Sequence, residues 1–335
     1  MQQVKLGTDG PLVSRLAFGA MTLGHETEEK VGRELLDTFV ESGGTLIDTA
    51  DVYNGGISEQ WIGQWLADTG ARDRIVLATK ARFPVTGQPG ASLRPEYLRT
   101  ALDASLRRLN VDYVDLHQIH GPDAKHPVDV VVEFYAEAWR AGKVRHAGVS
   151  NLAGWQLAKL GRLFAEAGTD VPPLVSHQPQ YSLIVREAEW EVIPAAIDAG
   201  LGAIVWGPLA AGWLTGKYRR DETPPAGSRL GDDPTRGSEA WDRRGTERTW
   251  AILDRLRAVA AEQGVTPAQA ALAWVADRPG VAAPIVGARS VAQLRETLEA
   301  ADLHLDPAAT AALDEVSAPA IPDYPYHMLS EIAEW

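Results

Sequence analysis

The sequence predicts an α/β chain closed into a (β/α)8 barrel (a TIM barrel) with an N-terminal β-hairpin, one domain over 1–335. Three observations carry that prediction. Eight short β-branched or apolar runs alternate with longer amphipathic stretches along the chain. No shift in composition marks a linker, although 335 residues would be long for most single domains. And no Gly-x-Gly-x-x-Gly follows any of the eight runs, which disfavours the alternative of an open, doubly wound sheet. Alternating strands and helices bury their apolar faces by wrapping helices around a parallel sheet.

The hairpin runs from Val4 to Val13 and turns at Asp9-Gly10. The strands follow at Leu16–Met21, Thr45–Ala50, Ile75–Lys80, Tyr113–His120, His146–Asn151, Leu174–Gln178, Ala203–Gly207 and Ala283–Gly287. Between them, Glu28–Glu41 places Val31, Leu35, Leu36, Phe39 and Val40 on one helical face. Further helices are expected at Ser58–Ala67, Pro95–Leu109, Val128–Ala141, Leu152–Ala167, Glu187–Ala199 and Thr249–Gln263. Thr266-Pro267-Ala268-Gln269 reads as a capping box with proline at the first helical position. A polar stretch at about 219–248, rich in Gly, Pro, Asp and Arg, is too long for an ordinary connector. It follows the seventh strand, a place where barrels often bind phosphate.

Composition narrows the function. Lys and Arg number 32 against 45 Asp and Glu, a formal charge of −13, so the surface as a whole repels nucleic acid and anionic membrane. A small anion remains possible at a local basic site. Without cysteine there is no disulfide, thiolate metal site or Cys nucleophile. The uncharged stretch from Ala199 to Gly216 is broken by six glycine or proline residues and reads as strand, turn and loop rather than a membrane span. Met1 to Lys5 lacks the pattern of a signal peptide, and a cytoplasmic chain is expected. A metal-dependent hydrolase would need clustered ligands at the strand ends; His25, His126, His146, His177, His304 and His327 are scattered, and no metal site is expected.

Polar residues at the C-terminal ends of barrel strands converge on one mouth. In order, these ends carry Asp48 with Tyr53 just beyond, Lys80, His120, Ser150-Asn151, Gln178, Trp206 and Val286-Gly287-Ala288-Arg289. Taken singly, each has an ordinary reading. Tyr53 beside Asn54-Gly55-Gly56 is a surface loop residue, Asp48 caps a turn, Lys80 is solvated, and His120 before Gly121-Pro122 is structural. Asn151 doubles as an N-cap, and Trp206 as a core residue. His117, on the opposite face of its strand from Leu116 and Gln118, is read as structural.

Taken together the segments resemble the aldo-keto reductases, in the bacterial branch similar to potassium-channel β-subunits. The resemblance spans nearly the whole chain. It rests on Gly44-Thr45-Leu46-Ile47-Asp48-Thr49-Ala50-Asp51-Val52-Tyr53, Ala78-Thr79-Lys80, Asp115-Leu116-His117-Gln118-Ile119-His120, Gly148-Val149-Ser150-Asn151, Gln178-Pro179-Gln180-Tyr181-Ser182, the run Gly207 to Tyr218, and Val286-Gly287-Ala288-Arg289. It implies a catalytic set of Asp48, Tyr53, Lys80 and His120. A phenol titrates near pH 10, and an adjacent ammonium lowers that value, so Tyr53 beside Lys80 makes a usable proton donor. Asp48 would anchor Lys80, and His120 would orient the substrate oxygen.

The resemblance also implies a nicotinamide cofactor, NADP rather than NAD. Ser150, Asn151 and Gln178 match residues that hydrogen-bond the carboxamide, and Trp206 the position that stacks on the ring. Gly207, Pro208, Leu209, Ala210 and Gly212, with Lys217, resemble the loop around the pyrophosphate, where amides of Leu209 and Ala210 would take part and Arg229 would add charge. Gly287, Ala288 and Arg289 open a helix, and Arg289 suits the 2′-phosphate. Gln293 and Glu296 match positions at the adenine, although Ser290 to Gln293 also reads as a capping box, and Thr297 stands where the family commonly has asparagine. Glu59 matches a recurrent acid and is not counted as catalytic. The expected activity is NADPH-dependent reduction of an aldehyde, ketone or sugar carbonyl; the alternative is a nucleotide-binding regulatory or redox-sensing subunit with slow turnover. Met21, Phe83, Trp213 and Tyr324 or Tyr326 are expected to wall the pocket, and no clamp for an anionic substrate is apparent.

Overall fold

The computed structural model describes residues 1–85, 90–235 and 237–328. Strands β1 (Gln3–Lys5) and β2 (Leu12–Ser14) form the antiparallel hairpin, with Val4 opposite Val13. The barrel strands are β3 (Ala17–Gly19), β4 (Leu46–Asp48), β5 (Val76–Ala81), β6 (Val114–Ile119), β7 (Val144–Ser150), β8 (Leu174–Gln178), β9 (Gly202–Val205) and β10 (Val281–Val286). All pair in parallel with their chain neighbours, and β10 closes onto β3. The fold is therefore the expected (β/α)8 barrel.

Helices α1 (Glu29–Glu41), α2 (Ile57–Thr69), α3 (Pro95–Leu109), α4 (Val131–Arg140), α5 (Gly154–Ala167) and α6 (Val192–Asp198) cover the first six connections. After β9 come α7 (Arg229–Asp232), α8 (Trp241–Arg244), α9 (Glu247–Gln263) and α10 (Pro267–Ala276), then α11 (Val291–Leu298) and α12 (Pro307–Ser317). The Thr266 capping box forms, its hydroxyl accepting from the Gln269 N–H. The helix expected over Glu187–Ala199 is a short turn, Glu187–Glu189, followed by α6. Pro194 has no N–H to donate, so the helix starts where that proline falls in its first turn. Asn151 does not cap α5: its φ is +58° and Ala153 holds the N-cap.

The described residues of the polar stretch at 219–248 run beside a cluster of aromatic rings. Trp213 stacks on Trp241 with centroids 4.6 Å apart, and Tyr218 and Trp250 close edge-on around them. This cluster belongs to an apolar core under α9 and α10.

Inside the barrel, Ala17, Leu46, Ala78, Leu116 and Ile204 pack together with Leu6 and Val13 of the hairpin. The hairpin thus plugs the end where the strands begin. A Cβ at Gly7 would lie 2.6 Å from the carbonyl oxygens of Val175 and Gly200, so only glycine permits that close seat. One strand period above the apolar layer the inward residues turn polar: Leu46 is followed by Asp48, Ala78 by Lys80 and Leu116 by Gln118. That change of layer makes the site.

Candidate active site

Lys80 is wholly buried at the end of β5, and its Nζ makes three hydrogen bonds. It donates to Asp48 Oδ2 at 2.7 Å, to the Thr49 carbonyl at 2.8 Å and to the Tyr53 hydroxyl at 3.3 Å. Parallel pairing of β4 with β5 brings Asp48 level with Ala78, one inward step below Lys80. Asp48 Oδ1 accepts from the Nε2 of Gln118 at 3.2 Å and of Gln178 at 2.9 Å. A carboxylate held from both oxygens in this way fixes the ammonium beneath the phenol. The His120 ring stands edge-on to Tyr53, centroids 5.8 Å apart. The structure thus brings Asp48, Tyr53, Lys80 and His120 to one place.

Electrostatics departs from the expectation at one point. Burial disfavours the Lys80 ammonium, but Asp48 and then Tyr53 outweigh it and hold its pKa above the ordinary value. The Tyr53 phenol is pushed up rather than down: burial raises the pKa by more than Lys80 lowers it, and Asp48 adds to the rise. A phenolate in this pocket loses more water than one ammonium replaces. Burial also drives His120 well below its ordinary value, helped by the charges of Lys80 and Arg82. At neutral pH the site holds a neutral phenol, a neutral imidazole and a charged lysine.

The amide and indole residues form a chain into this cluster. Trp206 Nε1 donates to Asn151 Oδ1 at 2.9 Å, and Asn151 Nδ2 donates to Ser150 Oγ at 3.0 Å and to the His120 carbonyl at 3.1 Å. Ser150 Oγ donates to the Gln178 carbonyl at 2.9 Å. The positive φ of Asn151 turns its side chain back over the mouth. A Cβ at Gly148 would meet Ser176 Oγ at 2.2 Å and Gln118 Cγ at 2.9 Å, so glycine there makes room for the inward glutamine.

Beyond β9, Gly207, Ala210, Ala211 and Gly212 all have positive φ, giving a tight, irregular turn. The Ala210 N–H is already donated to the Gly207 carbonyl at 2.9 Å and is not free for a ligand. Pro208 is buried and Leu209 half-buried beside it. Lys217 folds back against Gly212, where a Cβ would lie 2.8 Å from Nζ. Lys217 has no carboxylate within ion-pair distance among the described residues; burial and the charges of Arg289 and Arg229 push its pKa down. Arg289 is engaged: it donates to Glu26 at 2.6 and 2.9 Å, to Asp232 at 3.0 Å and to the Gly227 carbonyl at 3.1 Å. His25, Glu26, Arg229, Asp232, Asp233 and Arg289 line a cavity of about 270 Å³. Gly287 is exposed and Ala288 buried ahead of it. Gln293 Oε1 accepts from the Arg289 N–H at 3.0 Å, and its own N–H goes to Ser290 Oγ, so it ties Arg289 to the start of α11. Glu296 is exposed, while Thr297 is buried.

Several assignments change. Trp213 is fully buried in the aromatic cluster and walls no pocket. Tyr326 stacks on Trp190 and donates to Glu191 at 2.5 Å, and Tyr324 is exposed. Phe83 does sit at the mouth, its ring 4.8 Å from that of His120. His117 is structural, packed on Phe134 with Nδ1 3.4 Å from the Tyr135 hydroxyl. Glu59 is tied to Arg108 and Thr79 behind the barrel wall. Sequence reasoning missed Gln118, although its place two residues before His120 puts it on the inward row. It also missed Glu26 and Asp232, whose role depends on two loops meeting.

A family model described as the aldo/keto reductase family matches residues 15–318. The uncharacterized oxidoreductase YrpG of Bacillus subtilis is 38% identical over 321 residues, covering 91% of this chain and 93% of its own. A probable voltage-gated potassium channel subunit beta of Oryza sativa is 34% identical, covering 90% and 92%. Protein tas of Escherichia coli is 31% identical, covering 91% and 94%.

Proposed function

The chain belongs to the aldo/keto reductase family, and on that premise we propose that it is an NADPH-dependent reductase of aldehyde, ketone or sugar carbonyls with Tyr53 as proton donor. The observation that carries this is the bonding of one buried ammonium to both Asp48 and the Tyr53 hydroxyl. NADPH supplies the hydride. Tyr53 gives its hydroxyl proton to the carbonyl oxygen as negative charge develops there, and an alkoxide is a far stronger base than a phenolate even where burial raises the phenol. Lys80 stabilises the phenolate left behind, and Asp48 keeps Lys80 charged and in place. His120, neutral, offers an N–H that holds the carbonyl oxygen facing Tyr53.

The residues fit the cofactor. Gln178 keeps its Oε1 as an acceptor and Ser150 its hydroxyl oxygen, complementary to a carboxamide that both donates and accepts. The half-buried indole of Trp206 gives a flat wall against which the nicotinamide ring can lie. Lys217, Arg229 and Arg289 supply positive charge for the phosphates, and Arg289 would exchange its carboxylate partners for the 2′-phosphate. The test is NADPH oxidation by the purified protein across a panel of carbonyl compounds, repeated with Tyr53→Phe. That variant is expected to bind NADPH normally and to lose roughly 10²- to 10⁴-fold in kcat, the share of general acid catalysis. Full turnover in the variant overturns the assignment. The plant relatives named as channel subunits favour a second reading, a slow nucleotide-binding regulatory subunit, which turnover much slower than cofactor exchange would support.

A further inference from the structure

Apart from helping to keep His120 neutral, Arg82 is not used in the chemistry above, yet it stands beside it. Ala78 and Lys80 are the inward residues of β5, and Arg82 continues that row one step nearer the mouth. Lys80 pairs in register with Gln118, and the His120 N–H is donated to the Ala81 carbonyl at 3.1 Å, so Arg82 is set next to His120 in the layer above the lysine. Its guanidinium carbon lies 4.8 Å from the centroid of Phe83, and Phe83 lies 4.8 Å from the ring of His120. Those two contacts keep the guanidinium within about 10 Å of the imidazole.

The group is also unpaired. Its Nε is sealed from solvent with no hydrogen-bond partner, and no carboxylate lies within ion-pair distance of it among the described residues. Other sheltered arginines have their carboxylates, Arg108 in Glu59 and Arg186 in Glu189. The backbone there has φ +153°, a conformation that residues bearing a side chain seldom hold. A cation left without its counter-ion at the mouth of a site, on a strained residue, is a recognition element awaiting an anion.

We propose that Arg82 binds a carboxylate on the substrate, so that the site selects short carbonyl compounds carrying a carboxylate. The carbonyl oxygen lies at Tyr53 and His120 and the carboxylate meets the guanidinium across the Phe83 ring. The inference rests on the reductase reading. A monoanion suits this place better than a phosphate dianion, because Lys80, the other cation there, is committed to Asp48.

The experiment measures kcat and KM for 4-carboxybenzaldehyde against benzaldehyde, and for glyceraldehyde 3-phosphate against glyceraldehyde, in the wild type, Arg82→Met and Arg82→Lys. The wild type is expected to favour the carboxylate by about 10- to 100-fold in kcat/KM, the range for a charge-assisted hydrogen bond. Arg82→Met should bring that ratio near one, mainly through KM, and Arg82→Lys should keep part of it. A wild-type ratio near one, or a ratio unchanged in Arg82→Met, overturns the proposal. A preference confined to the phosphorylated pair overturns the choice of carboxylate. Turnover of benzaldehyde without any carboxylate preference refutes Arg82 alone, whereas no turnover of any aldehyde refutes the reductase reading and this inference with it.

Discussion

Replacing Asp51 by asparagine isolates the most perturbed carboxyl beside the site. Asp51 is fully buried, two residues before Tyr53, and neither carboxyl oxygen has a hydrogen-bond partner among the described residues. Burial, and then the charge of Glu59, push its pKa from 3.8 up to about 7, with Arg108 and Lys80 opposing. In the unfolded chain the proton leaves near pH 4. The folded state therefore holds an extra proton between about pH 4 and 7, and stability falls as pH rises through that window. At about 1.4 kcal/mol per pH unit, the wild type gives up about 4 kcal/mol there. The asparagine variant has no proton to lose at this position, so the difference between the two proteins reads the effect of this one group while other titrations cancel. Urea unfolding of both, followed by tryptophan fluorescence from about pH 4.5 to 8.5, should show Asp51→Asn gaining on the wild type by about 3 kcal/mol towards the alkaline end, the part of the window above pH 4.5. Stability curves that run parallel across that range would falsify the burial of an unpartnered acid.

Two other outcomes are expected. Lys80→Met leaves Asp48 as a buried charge served only by Gln118 and Gln178, and should cost about 3–5 kcal/mol of stability, much of it recovered by adding Asp48→Asn; chemical denaturation of the single and double variants decides, and a neutral single variant refutes the pairing. Arg289→Ala should weaken NADPH binding by about tenfold or more and NADH little, read as quenching of the protein's tryptophan fluorescence on titration; equal effects on both nucleotides would remove its phosphate role.

Local pattern made much of this protein legible. Period-two alternation and short apolar runs place eight strands, and proline and threonine at 266–267 place a helix start to the residue. Those signals act over a few neighbouring residues. Asp48, Lys80 and His120 are readable for the same reason, since each stands on an inward row where a barrel turns from apolar to polar. The hairpin is equally local, although its register centres the turn on Thr8-Asp9, one residue before the Asp9-Gly10 pair that the sequence suggests.

What only the tertiary structure decided are sums over distant neighbours. Gln178 reaches Asp48 across 130 residues of chain, and Glu26 meets Arg289 across 263; no spacing in the sequence encodes either meeting. Trp213 left the pocket because Trp241, from a stretch that reads as polar, and Trp250, from the helix after it, arrive to enclose it. The direction of the Tyr53 pKa followed the same rule. A lysine at the right place on a strand is visible in the sequence, but how much water the fold removes from the phenol is fixed only when every wall of the site is in position.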